Sequence, residues 1–397
     1  MDASLEQARS LFVEGIEHFE GGRLDAARER FAAALALAPG RPSVLGNLGI
    51  TLFRLGRMEE AVAALEAAVA GDADYDDAWF ALGGARHALG HWAAAAQALG
   101  EGLARSPQRV EPCVLHAECL HREGDLPAAL AAYERALALD PALAAAWTER
   151  GSILRELQRF DEAAASFEKA LALGGDADLN AFYLAAVRDA AGQEAAPPPR
   201  RYVESLFDAY AEDFEDHLVG QLRYQGFETL LRPLLDEAAP GEVLDLGCGT
   251  GLCGRQLQGV ATAVDGVDVS AEMIARARGS GHYRELWHAE LAEHLEASAR
   301  HYDCVVAADV FIYVGELATV FAGVRRILRP GGRFAFTVEA GEAGSGVRLL
   351  PKLRYTHAPD YLRSLAEAHG FTVSAMYSAP IRHDQDRPVP GLYVHLR

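Results

Sequence analysis

Three glycines, Gly247, Gly249 and Gly251, crowd the five positions that follow VLDL in the stretch VLDLGCGTG. Glycines so spaced let a chain turn sharply and let a ligand approach its backbone. An acidic residue follows at an informative distance. Asp268, in GVDVS, lies 21 residues beyond Gly247, close to the roughly 20 expected of a carboxylate that accepts hydrogen bonds from a ribose diol. Together they point to a nucleoside cofactor. Gly249, Gly251 and Gly254 also satisfy G-x-G-x-x-G, the spacing of dinucleotide sites. Against that reading, a run begun at Gly247 puts Leu252 where the third glycine belongs. Asp245, just ahead of the turn, would repel a nearby diphosphate but suits a ligand bearing an ammonium group.

Such a turn needs a strand before it and a helix after it. The second half of the chain supplies both. EVLDLG, ATAVDGVDV, YDCVVAADV and GRFAFTVEA have strand character, while LCGRQLQG, SAEMIARARG, ELATVFAGVRRILRPG and APDYLRSLAEAHG have helical character. The alternation predicts an α/β domain with a mostly parallel sheet. FTVSAMYSA and GLYVHLR close it as an antiparallel pair at the sheet edge.

The first half has a different order. On a period of about 34 residues, Gly15, Gly49, Gly83, Ala117 and Gly151 fall in register. Ala27, Ala61, Ala95, Ala129 and Ala163 follow, then Phe31, Leu65, Leu99, Tyr133 and Phe167, then Ala34, Ala68, Gly102, Ala136 and Ala170. Small residues let two helices approach, the larger side chain fills the space between them, and Pro39, Pro107 and Pro141 end repeats. EGGRLD, RLGRME, REGDLP and ELQRFD mark the turns within hairpins. DLNAFYLAAVRDAAG reads as a capping helix. The inward positions of the first helices include Phe12, Phe19, Phe53, Phe80, His87, His121, Thr148 and Arg155. Prolines 197 to 199 then mark a stiff spacer. The expected division is a helical array over 1–194, a linker over 195–201 and the α/β domain over 202–397.

Composition narrows the classes of function. A chain of 397 residues, half hydrophobic and 24% charged, supports two or three cores. The net charge of −20 disfavours nucleic acid and anionic membranes as partners. Five cysteines without a C-x-x-C pair argue against a disulfide framework or a zinc site, so no metal is expected. The opening MDASLEQARS lacks signal-peptide character, and no apolar run spans a bilayer. A cytoplasmic location is the expectation.

The repeat positions resemble the tetratricopeptide repeat, in five copies. VLDLGCGTG, GVDVSAEMIARAR, AADVFIYVGEL and LRPGGRFAFTVE, in that order, resemble class I S-adenosylmethionine-dependent methyltransferases over about 202–397. Together the chain is similar to bacterial methyltransferases that carry such repeats. The resemblance implies a Rossmann-like, seven-stranded mostly parallel sheet with an antiparallel edge strand. It implies S-adenosylmethionine as cofactor, with S-adenosylhomocysteine as product. Asp245 and the turn Gly247, Cys248, Gly249 and Gly251 would hold the methionine end, and Asp268 and Val269 the ribose. Glu290 would sit near the adenine amine, where many relatives carry Asp. Asp309 would border the methyl group, and Tyr210, in the lead-in YVESLFDAYAEDFEDHL, would lie over the cofactor. The lysine and asparagine pattern that clamps acidic peptide ends in some tetratricopeptide arrays is missing.

Methyl transfer needs a nucleophile held at the methyl carbon with water excluded. A base is required only where the acceptor must lose a proton; a carboxylate acceptor needs a cation instead. KLRYTH places Arg354, Tyr355 and His357 after the fifth strand. His357 is a candidate general base, with helix capping before Pro359 as the plainer role. Arg354 and Arg382 are candidate clamps for an anionic acceptor; His217 and Tyr313 are further candidates. Three uses of the array remain open. It recruits a protein or peptide substrate, it docks a partner or oligomerises beside small-molecule turnover, or the whole is a non-catalytic scaffold.

Overall fold

The computed structural model describes residues 3–188, 197–211, 214, 223–384 and 387–397, and the chain divides into two compact units, Met1–Gly175 and Asp176–Arg397. The first unit is five helical hairpins. They are α1 (Ala3–Glu20) with α2 (Leu24–Leu37), α3 (Pro42–Arg54) with α4 (Met58–Gly71), and α5 (Asp76–Ala88) with α6 (Trp92–Arg105). α7 (Val110–Arg122) with α8 (Leu126–Leu139) and α9 (Ala144–Glu156) with α10 (Phe160–Ala172) complete the series.

The repeated residues act as seats and plugs. A Cβ on Gly15 would stand 2.5 Å from Phe31 Cε1, and one on Gly151 equally close to Phe167 Cε1. Gly49 and Gly83 receive Leu65 and Leu99 in the same way. Phe31, Leu65 and Phe167 are fully buried, each burial stabilising by roughly 1.5–3 kcal/mol. Four hairpin turns use a left-handed glycine, Gly22, Gly56, Gly90 and Gly124; the fifth uses Gln158, at φ 59°.

The inward positions resolve into two kinds. The aromatic ones are half-buried packing residues. Phe12 tilts against Phe31 at 5.7 Å, Phe19 lies under Arg54, Phe53 covers Gly84 and Phe80 covers Gly102. The polar ones pair between neighbouring first helices, His87 with Glu118 at 3.3 Å and His121 with Glu156 at 3.5 Å. Thr148 is buried, its hydroxyl donating to Ala144 O, and Arg155 reaches Ser152 and Glu156.

The second unit opens with α11 (Ala177–Val187), α12 (Arg200–Tyr210) and α13 (Gly226–Glu237). Strands and helices then alternate: β1 (Glu242–Leu246), α14 (Leu252–Leu257), β2 (Ala263–Asp268), α15 (Ala271–Ser280), β3 (Glu285–His288) and α16 (Leu291–Ala297). β4 (Tyr302–Ala307), a 3-10 turn (Phe311–Tyr313), α17 (Ala318–Ile327) and β5 (Leu328–Ala340) follow. β6 (Val347–Leu349), β7 (Tyr355–His357), α18 (Pro359–Ala368), β8 (Val373–Asp384) and β9 (Arg387–Leu396) complete it.

The strand order is 3-2-1-4-5-7-6, with β9 antiparallel to β5 and β8 antiparallel to β9. The fold class is the expected one, but the described strands number nine rather than seven. β6 and β7 account for the excess; at three residues each they are too short to show a period. Side chains alternate between two cores. Leu244, Leu246, Val305, Phe334 and Phe336 face one layer, and Val243, Cys304, Val306 and Ala335 face the other with α13 and α14. Burial on both faces is why these strands read as nearly continuous apolar runs. All five cysteines are free and buried. Among the described residues no helix is long and apolar enough to cross a membrane.

Candidate active site

The turn after β1 stays fastened to β2 beyond the end of the sheet. Gly247 N and Cys248 N both donate to Val267 O, at 2.8 and 3.0 Å. Gly247, Gly249 and Gly251 all take positive φ. At Gly249 the φ of +53° and not space calls for glycine, because a Cβ would meet nothing nearer than Phe214 Cε1, 3.8 Å away. That side of the turn faces a cavity of about 890 Å³.

Asp268 closes the adjacent wall. Gly249 N donates to its Oδ2 and Ser270 N to its Oδ1, both at 2.9 Å. The carboxylate is 7% exposed and borders the cavity. Burial raises its pKa, and the amides of Ser270, Gly249 and Val269 oppose the rise. Each oxygen retains a lone pair for a further donor. Cys248, Val269 and Glu290 also line the cavity. Glu290 caps α16, accepting from Glu293 N at 3.0 Å.

Beyond β4 lies a second cluster. Asp309, a non-glycine residue at φ 59°, donates its amide to Thr337 Oγ1 at 2.7 Å. Arg382 Nη1 lies 2.6 and 2.5 Å from the two Asp309 oxygens, and Nη2 reaches Glu339 Oε1 at 2.5 Å. Glu339 also holds Lys352 Nζ at 2.7 Å and Arg354 Nη1 at 3.3 Å. Burial works against the charge on Arg382, but Asp309 and Glu339 hold the guanidinium firmly protonated. A break in the β8–β9 register between Pro380 and His383 marks where Arg382 leaves the regular ladder. Asp309, Arg354 and Arg382 border the cavity.

The remaining walls are largely apolar. Val203, Leu206 and Phe207 come from α12, Tyr224 and Phe227 from the start of α13, and Ile312 and Tyr313 from the 3-10 turn. Phe207 and Tyr313 meet edge to face at 5.1 Å. Asp208 ties α12 to the α15 N-terminus by accepting the Ser270 hydroxyl at 2.6 Å. Walls of this kind exclude water from a reacting centre.

Three expected site residues lie elsewhere. Asp245 is 1% exposed and sits behind the turn, not on the cavity wall; Tyr283 donates to its Oδ2 at 2.7 Å. Burial raises its pKa to about 7, and the bonds from Tyr283 and the Cys253 thiol oppose the rise. Tyr355 and His357 are buried on β7, away from the cavity lining. His357 Nε2 lies 2.8 Å from Gly315 O, and burial pushes its pKa down to about 4. Such an imidazole is neutral, enclosed and spent on a structural bond. The Tyr210 side chain and His217 fall outside the described residues. Glu339, Tyr283 and Asp208 are site-building residues that sequence reasoning passed over. Only Glu339 left a signal, as the lone charge late in an apolar strand.

Residues 243–332 match the family described as "Methyltransferase domain", and residues 12–76, 52–119 and 117–183 match tetratricopeptide repeat families. A malonyl-[acyl-carrier protein] O-methyltransferase of Pseudescherichia vulneris is 28% identical over 141 residues, 36% of this chain and 55% of that protein. The aklanonic acid methyltransferase DauC of Streptomyces sp. (strain C5) is 29% identical over 189 residues, 43% of this chain and 84% of that one. The chain thus spans about half the length of the first relative. A solved DhpI–SAH complex is 25% identical at a TM-score of 0.40, covering 50% of this chain and 96% of that one. The chain therefore joins tetratricopeptide repeats to a methyltransferase domain.

The residues present fit S-adenosylmethionine. The cradle at Gly249 is open where a Cβ would intrude. Asp268 offers lone pairs toward a ribose.

Proposed function

We propose that this chain is an S-adenosylmethionine-dependent O-methyltransferase whose acceptor presents an anionic oxygen. The observation that carries the reading is the pairing, on one cavity, of the Gly249–Asp268 cradle with a cluster led by Arg354 and Arg382. When bound, the cofactor supplies an electrophilic methyl on a sulfonium. Asp268 would hold the ribose, the Gly247–Gly251 backbone the methionine end, and Glu290 the adenine side. Phe207, Phe214 and Tyr313 would keep water out.

The acceptor class is argued from the fate of the expected base. His357 is enclosed with a depressed pKa. Asp309 and Glu339 are both committed to Arg382. An acceptor already ionised, such as a carboxylate, needs no base, and Arg354 on the cavity wall would orient it. The malonyl-[acyl-carrier protein] relative is consistent with an acceptor carried on a protein. We infer that the array recruits that carrier, in the cytoplasm; DauC supports the second reading, free small-molecule turnover beside a docking or oligomerising array.

The test is to incubate the full chain with methyl-labelled S-adenosylmethionine and host lysate, then separate macromolecules from metabolites. Base-labile label on protein supports the carboxylate reading with recruitment, and label in low-mass acids supports the second. Label stable to mild base in either fraction removes the carboxylate acceptor.

A further inference from the structure

Gly254 completes the G-x-G-x-x-G spacing, yet it does not border the cavity. It receives a ring. A Cβ on Gly254 would stand 2.5 Å from Tyr283 Cζ and 2.8 Å from the Tyr283 hydroxyl oxygen. The same ring closes on Gly251, 3.1 Å from a Cβ there, and on Gly266 of β2, at 3.0 Å. Three glycines from three places in the sequence thus form one socket. Tyr283, between α15 and β3, fills it.

The hydroxyl has a fixed direction. Gly254 N donates to it at 3.1 Å, so its own proton goes to Asp245 Oδ2 at 2.7 Å. One phenol therefore links the end of β1 to the first turn of α14, the two elements flanking Gly247–Gly251. The turn between them has positive φ at all three glycines, and its side chains alone do not fix its shape. A ligand held by backbone binds well only where that backbone is already set.

We propose that Tyr283 is a positioning residue for the cofactor turn, and that Gly254 is its seat and not a phosphate contact. The proposal rests on the S-adenosylmethionine reading above. It assigns the third glycine of the motif to a side chain of this protein, which is why the spacing imitates a dinucleotide site.

The link also sets the charge beneath the turn. Asp245 is faced by Tyr283, by Cys253 of α14, by Asp268 of β2 and by the Cys248 thiol. Burial raises its pKa to about 7, and the bond from Tyr283 opposes that rise. Removing the hydroxyl moves the midpoint higher. A role confined to packing would lower the melting temperature and leave this midpoint where it was.

Titration calorimetry of the full chain with S-adenosylhomocysteine, repeated from about pH 6 to 9, tests the proposal. In the unaltered protein, affinity weakens as pH falls through about 7. Tyr283→Phe keeps the ring; it raises Kd roughly tenfold, the scale of one hydrogen bond to a carboxylate, and displaces the midpoint to higher pH. Asp245→Asn retains an acceptor for Tyr283 and abolishes the midpoint. Gly254→Ala displaces the ring and weakens binding to a similar degree, and it decides the matter if Tyr283→Phe does not fold. Unaltered affinity and midpoint in folded Tyr283→Phe, or full affinity in Gly254→Ala, overturns the proposal. Absence of binding by the unaltered chain instead overturns the cofactor reading beneath it.

Discussion

The helical array and the α/β unit use the same device, a glycine that makes room for a bulky side chain, in opposite ways. In the array it recurs as Gly15 with Phe31, Gly49 with Leu65, Gly83 with Leu99 and Gly151 with Phe167. In the α/β unit three glycines, Gly251, Gly254 and Gly266, converge on a single ring, that of Tyr283. Repetition makes the first pattern a matter of stability spread over many equivalent places. Convergence on one ring makes the second a matter of geometry at one place. Substitutions in the array should therefore change folding and spare binding, and those in the turn should do the reverse.

The largest separation is expected from Phe167→Ala. Removing a fully buried ring costs about 3–5 kcal/mol, read as a lower denaturant midpoint for the array, while Kd for S-adenosylhomocysteine stays unchanged. A parallel loss of affinity would break the comparison. His357 gives an effect of about 3 kcal/mol in the other unit, because its pKa falls from the ordinary 6.5 to about 4 on folding. The unfolded chain takes up this proton first as the solution is acidified. Stability is therefore full above about 6.5 and lost progressively as pH falls toward 4. His357→Gln should flatten that part of the pH–melting curve.

Asp268→Ala is expected to weaken cofactor affinity by roughly 1.5–3 kcal/mol by calorimetry, with the array's unfolding midpoint unmoved. The smallest effect belongs to Gly124→Ala. Nothing lies within 4 Å of a Cβ there, so only the φ of +81° resists substitution, at a cost of about 1 kcal/mol. A much larger cost would mean that this turn is gripped by something other than its own backbone.

What the sequence disclosed follows from the same contrast. Five copies of one spacing expose the array, because each hairpin solves the same packing problem with residues 16 apart, as Gly15 and Phe31 are. Asp268 was legible because strand and helix lengths fix its distance from Gly247. Tyr283 was not, since its partners Asp245, Gly254 and Gly266 are scattered and joined only by the parallel sheet. Arg382 was visible as a cation but not as the partner of Asp309, 73 residues away. Tyr355 and His357 misled because β7 is three residues long. A histidine turned inward by so short a strand looks, in sequence, like one offered to a substrate.

Four of the five hairpins carry both halves of a glycine lock, as with Gly49 and Leu65 or Gly151 and Phe167. A stretch of gene encoding one such hairpin therefore carries its internal fit with it. Copying or deleting it would change the reach of the array while the surviving hairpins kept their internal fit, with seams such as Phe53 on Gly84 made anew. No such freedom exists around Tyr283, where any duplicated fragment would arrive without its counterparts. The two halves of this molecule can thus change by different routes, one by block and the other only residue by residue.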